Sequence, residues 1–236
     1  MTTAERARLL KSLLAKLRSR FPEAEPVPPA PDEPTLREFV RSLLVWECPT
    51  SRAETAMRRI EQNIVDFNEL RVCMPDDIVR MIGHTYPRAE DRAVRLRESL
   101  NGVFARNHSV SLEFLRVMPK RDARTYLEEL PGVPRYAVGR TFLLALGGHA
   151  APVDDRLLAR LIDEKIAEAG ADAEAASAWL ERTLRAADAP EAHRLLQCWC
   201  DEERRTSSTS RAKPEAVSTR SPARNRSRPR SAPRAN

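Results

Sequence analysis

DARTYLEELPGVPRYAVGRTFLLALGGHAAPVD, residues 122–154, reads as a helix, a tight turn, a second helix and the start of a third. Asp122 to Glu129 forms the first helix. Leu130-Pro131-Gly132-Val133 follows, and Pro beside Gly is strong turn punctuation. Arg135 to Leu146 is apolar on most faces, which marks a buried helix. Gly147-Gly148 ends it. Pro152-Val153-Asp154 then opens the next helix, with Asp154 suited to the N-cap position.

Working outward, the rest of the chain is also helical in pattern. Only 7 glycines and 5% aromatics, with many Leu, Ala, Arg and Glu, favour helices over strands. Thr2 to Arg20 places Leu9, Leu10, Leu13, Leu14 and Leu17 on one face. Residues 22–34 hold six prolines and read as an extended linker. Thr35 is the expected N-cap of a helix that ends before Pro49. Ser51 to Leu70 reads as one helix, and Pro75 to Gly83 as a shorter one. Arg88 to Val103 is heavily charged, and the alternating signs of Arg88 to Arg97 read as a solvated face. Val110 to Met118 is short. Asp154 to Ala169, Ala173 to Ala187 and Glu191 to Cys200 complete about ten helices. The sequence contains no internal repeat.

Composition bounds the function. At 236 residues and 42% hydrophobic content, the chain has room for one globular unit or two small lobes plus tails. No apolar run approaches the roughly 20 residues that a membrane span requires. The N-terminal leucines are interleaved with Arg and Glu, unlike a signal peptide. The expected location is cytoplasmic, nucleoid-associated in a bacterium. Cys48, Cys73, Cys198 and Cys200 do not space as a disulfide framework, and the four histidines pair with nothing that suggests zinc. The net charge of +6 is uneven. Arg204 to Asn236 holds ten Lys/Arg against one Glu, a surplus of nine, which leaves residues 1–203 at about −3. The tail is expected to be disordered. It reads either as a solubilising extension or as a cation-rich segment that neutralises phosphates, in which case phosphorylation of its serines would weaken the attraction.

The 122–154 segment resembles the helix-hairpin-helix of the HhH-GPD DNA glycosylase superfamily, of which endonuclease III is a member. There L-P-G-V-G joins two helices and a catalytic Asp in V-D follows about twenty residues later. Leu130 to Asp154 aligns with that pattern without a gap. The resemblance implies an all-α, two-lobed fold with double-stranded DNA as partner, a monomeric state and no membrane. It implies that Gly132, Val133 and Arg135 contact a phosphate through the hairpin. It also implies that Asp154 stabilises a sugar cation while a flipped base sits in a cleft beside Glu47 and Tyr136.

The match is partial. Pro134 stands at the family's second glycine and lacks an N–H donor. Tyr136 stands at the lyase Lys position, so Schiff-base chemistry is not expected and a monofunctional enzyme is. The family's C-x6-C-x2-C-x5-C cluster motif is missing, and Cys198 with Cys200 cannot hold four irons, so no cofactor and no metal are expected. The expected organisation is residues 1–21 as a helix packing on the second lobe and 22–34 as linker. Residues 35–148 form the hairpin lobe, 149–203 the second lobe and 204–236 the basic tail. Two of the site residues also have a plain structural role: Asp154 as a helix cap, Tyr136 as hairpin packing. The alternative to an N-glycosylase is an inactive relative that grips DNA or serves as a helical interaction protein.

Overall fold

The computed structural model describes residues 2–22 and 33–207, with side chains to Glu202. The expectations for the Pro-rich stretch fall largely outside the described residues, and those for the tail do so from residue 208 onward. Among the described residues the structure is all-α, with eleven α-helices, one 3-10 turn and no strand.

The first helix, α1 (Thr3–Arg20), starts at a capping box: the Thr2 hydroxyl accepts the Glu5 N–H, and the Glu5 carboxylate accepts the Thr2 N–H at 2.7 Å. Leu10, Leu13, Leu14 and Leu17 are its buried face. Then come α2 (Pro34–Val45), α3 (Thr50–Asn63), α4 (Phe67–Val72), α5 (Pro75–Ile82) and α6 (Ala89–Asn107). After the 3-10 turn Glu113–Arg116 follow α7 (Lys120–Glu128), α8 (Arg135–Leu144), α9 (Asp155–Asp163), α10 (Ala173–Thr183) and α11 (Ala189–Ser207).

Several expectations are corrected. Thr35 is not an N-cap; Pro34 already occupies the first helical turn, and the Thr35 N–H and hydroxyl both donate to Glu113, at 2.7 and 2.9 Å. The helix expected over Ser51 to Leu70 is two, because Asp66 caps α4 through the Glu69 N–H at 2.8 Å. The helices expected to reach Ala169 and Ala187 end at Asp163 and Thr183, the first at a turn where Lys165 is left-handed (φ 60). The final helix continues past Cys200 to Ser207, through residues of good helix propensity, so the first four residues assigned to the tail are helical. Finally, α6 is not a wholly solvated face: Arg92 is fully buried.

Two apolar cores form. One gathers Leu36, Phe39, Leu43, Met57, Ile60, Leu96, Leu100, Leu127 and Leu143 from α2 to α8. The other gathers α1 with Leu157, Leu161, Trp179, Leu180, Leu195 and Leu196 from α9 to α11. Where they face each other, hydrogen bonds and ion pairs cross: Glu47 to Asp154, Thr50 to Asp201, Tyr136 to Gln197, Arg124 to Glu181.

The α7–α8 hairpin is seated on α6 by two glycines. A Cβ on Gly102 would lie 2.5 Å from Pro131 Cδ, and Gly132 is left-handed (φ 73) with its side towards Arg95 and Glu98. The Gly132 carbonyl accepts from Arg95 at 3.1 Å. Gly102→Ala is therefore expected to destabilise the protein by about 1–3 kcal/mol through overpacking, read as a lower urea midpoint.

Candidate active site

Pro152-Val153-Asp154 delivers an extended chain to the start of α9. Asp154 takes the N-cap position and its carboxylate accepts two backbone N–H groups, from Leu157 at 2.9 Å and from Glu47 at 3.0 Å. The second bond reaches across 107 residues and ties the end of α2 to the start of α9. Asp154 is 5% exposed. That burial raises its carboxyl above the usual value, while the two N–H donors and the nearby Arg156 pull the other way.

Asp154 lines a cavity of about 530 Å³ bordered by residues of both cores. That size falls within the roughly 300–1,000 Å³ of ordinary ligand pockets. Glu47 and Tyr136 line the same cavity, as do Pro134 and Arg135 at the exit of the hairpin. The arrangement thus brings Asp154, Glu47, Tyr136 and Arg135 together. Gly132 and Val133 are placed differently: Gly132 turns to α6, and Val133 packs on the first core.

Glu47 adopts a left-handed backbone (φ 51) just past α2, which aims its N–H at Asp154 and its carboxylate at Arg88, 2.8 Å away. Burial raises the Glu47 carboxyl despite Arg88. Tyr136 is almost fully buried, and its hydroxyl donates to Gln197 Oε1 at 3.1 Å, so the phenol oxygen is turned to α11. Burial pushes the Tyr136 phenol well above its ordinary value, so it stays neutral. Arg135 is exposed and pairs with Glu174 at 3.1 Å. No side chain caps the N-terminus of α8, whose N-cap is Pro134.

Sequence reasoning missed the support beneath Glu47. Trp46, also on the cavity wall, carries the guanidiniums of Arg88, Arg92 and Arg95 over its ring at 4.7, 5.6 and 5.2 Å. Their spacing of four and three residues along α6 is a one-face stripe, the signal that could have found them. Arg92 goes further: it donates to the carbonyls of Leu43, Leu44 and Trp46, closing the C-terminus of α2. The four cysteines are free, and the described residues contain no cluster of three or more His, Cys, Asp or Glu side chains able to hold a metal ion. No helix among the described residues is long and apolar enough to cross a membrane.

This architecture, two helical cores with a hairpin and a capping Asp on one intervening cavity, is the helix-hairpin-helix glycosylase fold. In structure the chain is similar to endonuclease III in covalent and non-covalent complexes with DNA, at TM-score 0.64 and 13% identity over 84% of this chain and 86% of that one. It is also similar to the 8-oxoguanine glycosylase/lyase of Clostridium acetobutylicum, solved with double-stranded DNA (0.62, 12% identity, 86% of this chain and 71% of that one). The 3-methyladenine DNA glycosylase of H. pylori, bound to 1,N6-ethenoadenine, gives 0.59 at 10% identity over 85% and 98%. In sequence, no protein-family model and no curated protein matches.

Proposed function

We propose that this chain is a DNA repair protein, a monofunctional N-glycosylase that hydrolyses a base–sugar bond in double-stranded DNA. The observation that carries the reading is Asp154 among the lining residues of a cavity that the hairpin exit also borders. Duplex DNA would dock through Gly132, Val133, Arg135 and the uncapped N-terminus of α8, where backbone N–H groups and the helix dipole favour a phosphate. The target nucleotide would leave the stack and enter the cavity beside Trp46, Glu47 and Tyr136.

In the reaction the C1′–N bond breaks and its electron pair leaves with the base. Positive charge develops on the sugar, and Asp154 stabilises it as the anion. A water oxygen then bonds to C1′, and the water proton is taken by Asp154 and ends on the departing base, so atoms and charge balance. The N–H groups of Leu157 and Glu47 fix the carboxylate for that task. Tyr136 stands where the bifunctional relatives would need an amine, and a neutral phenol cannot form a Schiff base, so no strand cleavage follows.

The test is abasic-site formation on duplexes carrying uracil, oxidised pyrimidines, alkylated purines or mismatches. Release of one base class, lost in Asp154→Asn, upholds the reading. One observation favours a second reading, a non-catalytic DNA-gripping relative: both Asp154 oxygens already serve backbone donors, and little of the residue is exposed. Duplex binding with no lesion processed would select it.

A further inference from the structure

Asp201, in the second half of α11, braces the candidate site from behind. Neither Asp201 nor its partners Arg156 and Gln197 border the cavity. The Asp201 carboxylate accepts from three elements at once. Its Oδ2 takes the Thr50 N–H at 3.1 Å, and its Oδ1 takes Arg156 Nη2 at 2.9 Å and Gln197 Nε2 at 3.2 Å.

Each donor leads back to the site. Thr50 opens α3, three residues past Glu47. The N-cap there is Pro49, which offers no side-chain acceptor, so Asp201 satisfies an N–H that the helix end leaves over. Gln197 lies four residues back on the same face of α11, and its Oε1 accepts the Tyr136 hydroxyl. Arg156 stands in the first turn of α9, two residues past Asp154. Its pair with Asp201 is largely buried, with 13% of the Arg156 side chain exposed and 24% of Asp201. A carboxylate held on one oxygen by α3 and on the other by its own helix is a firm anchor for that guanidinium.

The anchor matters because of what Arg156 would otherwise meet. Among the described residues Asp154 has two hydrogen-bond donors, both backbone N–H groups. The Arg156 guanidinium is close enough for each charge to act on the other, yet its ion pair is with Asp201. The titratable neighbours of Asp154 on the surrounding elements, Glu47 at the end of α2, Tyr136 of α8, Asp155 of α9 and Cys200 of α11, are all acids. A carboxylate in direct contact with a guanidinium is a stabilised anion with little appetite for a proton. One spared that contact stays basic.

We propose that Asp201 is a positioning residue: it keeps the Arg156 guanidinium engaged on α11 and so leaves Asp154 without a direct cationic partner. This role deepens the glycosylase reading and rests on it, since an Asp154 spared an ion pair is the one able to take the water proton.

The test is a carbon-13 NMR titration of the Asp154 carboxyl in the full chain, the signal being assigned by its loss in Asp154→Asn. Asp201→Asn frees the guanidinium, and the Asp154 midpoint is expected to fall by about one pH unit or more, the usual effect of an adjacent arginine. In the double variant Asp201→Asn/Arg156→Gln most of that fall should disappear, because the effect travels through Arg156. Arg156→Gln alone keeps the anchor, and should raise the midpoint by less than about one pH unit; it decides the matter if Asp201→Asn does not fold. An unchanged or raised midpoint in Asp201→Asn would overturn the proposal, as would a fall that persists in full without Arg156. So would a rise of about one pH unit or more in Arg156→Gln alone, because Arg156 would then already serve Asp154 directly. The titration involves no base release. The expected shifts in a protein that releases no base from any duplex would uphold the role of Asp201 while the glycosylase reading failed.

Discussion

Arg92→Met is expected to cost about 3 kcal/mol of folding stability. Arg92 is wholly buried, and burial lowers its affinity for its proton. The substitution removes a desolvated charge, which favours the variant. It also strands the carbonyls of Leu43 and Trp46 at the end of α2, while that of Leu44 keeps the Tyr86 hydroxyl at 2.8 Å, and a buried acceptor without a donor costs about 1–3 kcal/mol. The stranded carbonyls outweigh the relieved charge. For a body of this size each kcal/mol moves the melting temperature by roughly 2–4 °C, so a thermal melt should fall by about 6–12 °C. Arg92→Lys should recover little of it, because one ammonium cannot span three carbonyls that the planar fork reaches together. An unchanged melting temperature in Arg92→Met would show that these bonds contribute nothing net.

Asp154→Asn is expected to lower base release between about 100- and 10,000-fold, the usual contribution of a positioned acid–base group. Duplex affinity should change little, since the hairpin surface is untouched. The same carboxyl sets a pH dependence. Its acidity is weakened by burial, and in the proposed reaction the anion is the form that acts. Activity should therefore rise with pH through a midpoint above 3.8, the ordinary aspartate value, and single-turnover rates across acidic pH would measure that limb. Stability moves the opposite way at this residue. A carboxyl whose pKa is raised by folding contributes most below its unfolded value, and that contribution is lost as pH rises through the folded one. An acid limb at or below 3.8 would mean that another group governs the rate.

The elements readable from sequence were those with local punctuation. Pro75 and Gly83 bracket α5 and Pro131-Gly132 marks the hairpin, whereas α1 was readable from its leucine face and its Thr2–Glu5 capping box went unread. The break between α3 and α4 was hidden because Ile60, Ile64 and Phe67 keep helical spacing across it. The deciding signal, Asp66 three residues before Glu69, competes with that spacing and wins through a real hydrogen bond. Arg92 was unreadable for a different cause. Its partners lie 46 to 49 residues away, and nothing in a charged stretch says which cation will be swallowed. At the candidate site the sequence offered Asp154, Glu47, Tyr136 and Arg135, which do meet on one cavity. It did not offer Gln197, which claims the Tyr136 hydroxyl from 61 positions away, or the Trp46 shelf beneath Glu47.

The polar stitching between the two cores has a mechanical corollary. Parting two apolar faces costs free energy over their whole area, whereas each hydrogen bond across a seam is worth only about 1 kcal/mol net once water can replace it. The Glu47–Asp154, Thr50–Asp201 and Arg124–Glu181 links are bonds of that exchangeable kind. Apolar contacts cross the same seam, with Ala189 of α11 in the first core and the Tyr136 ring 6.4 Å from that of His193, so the two halves are joined by both kinds of contact.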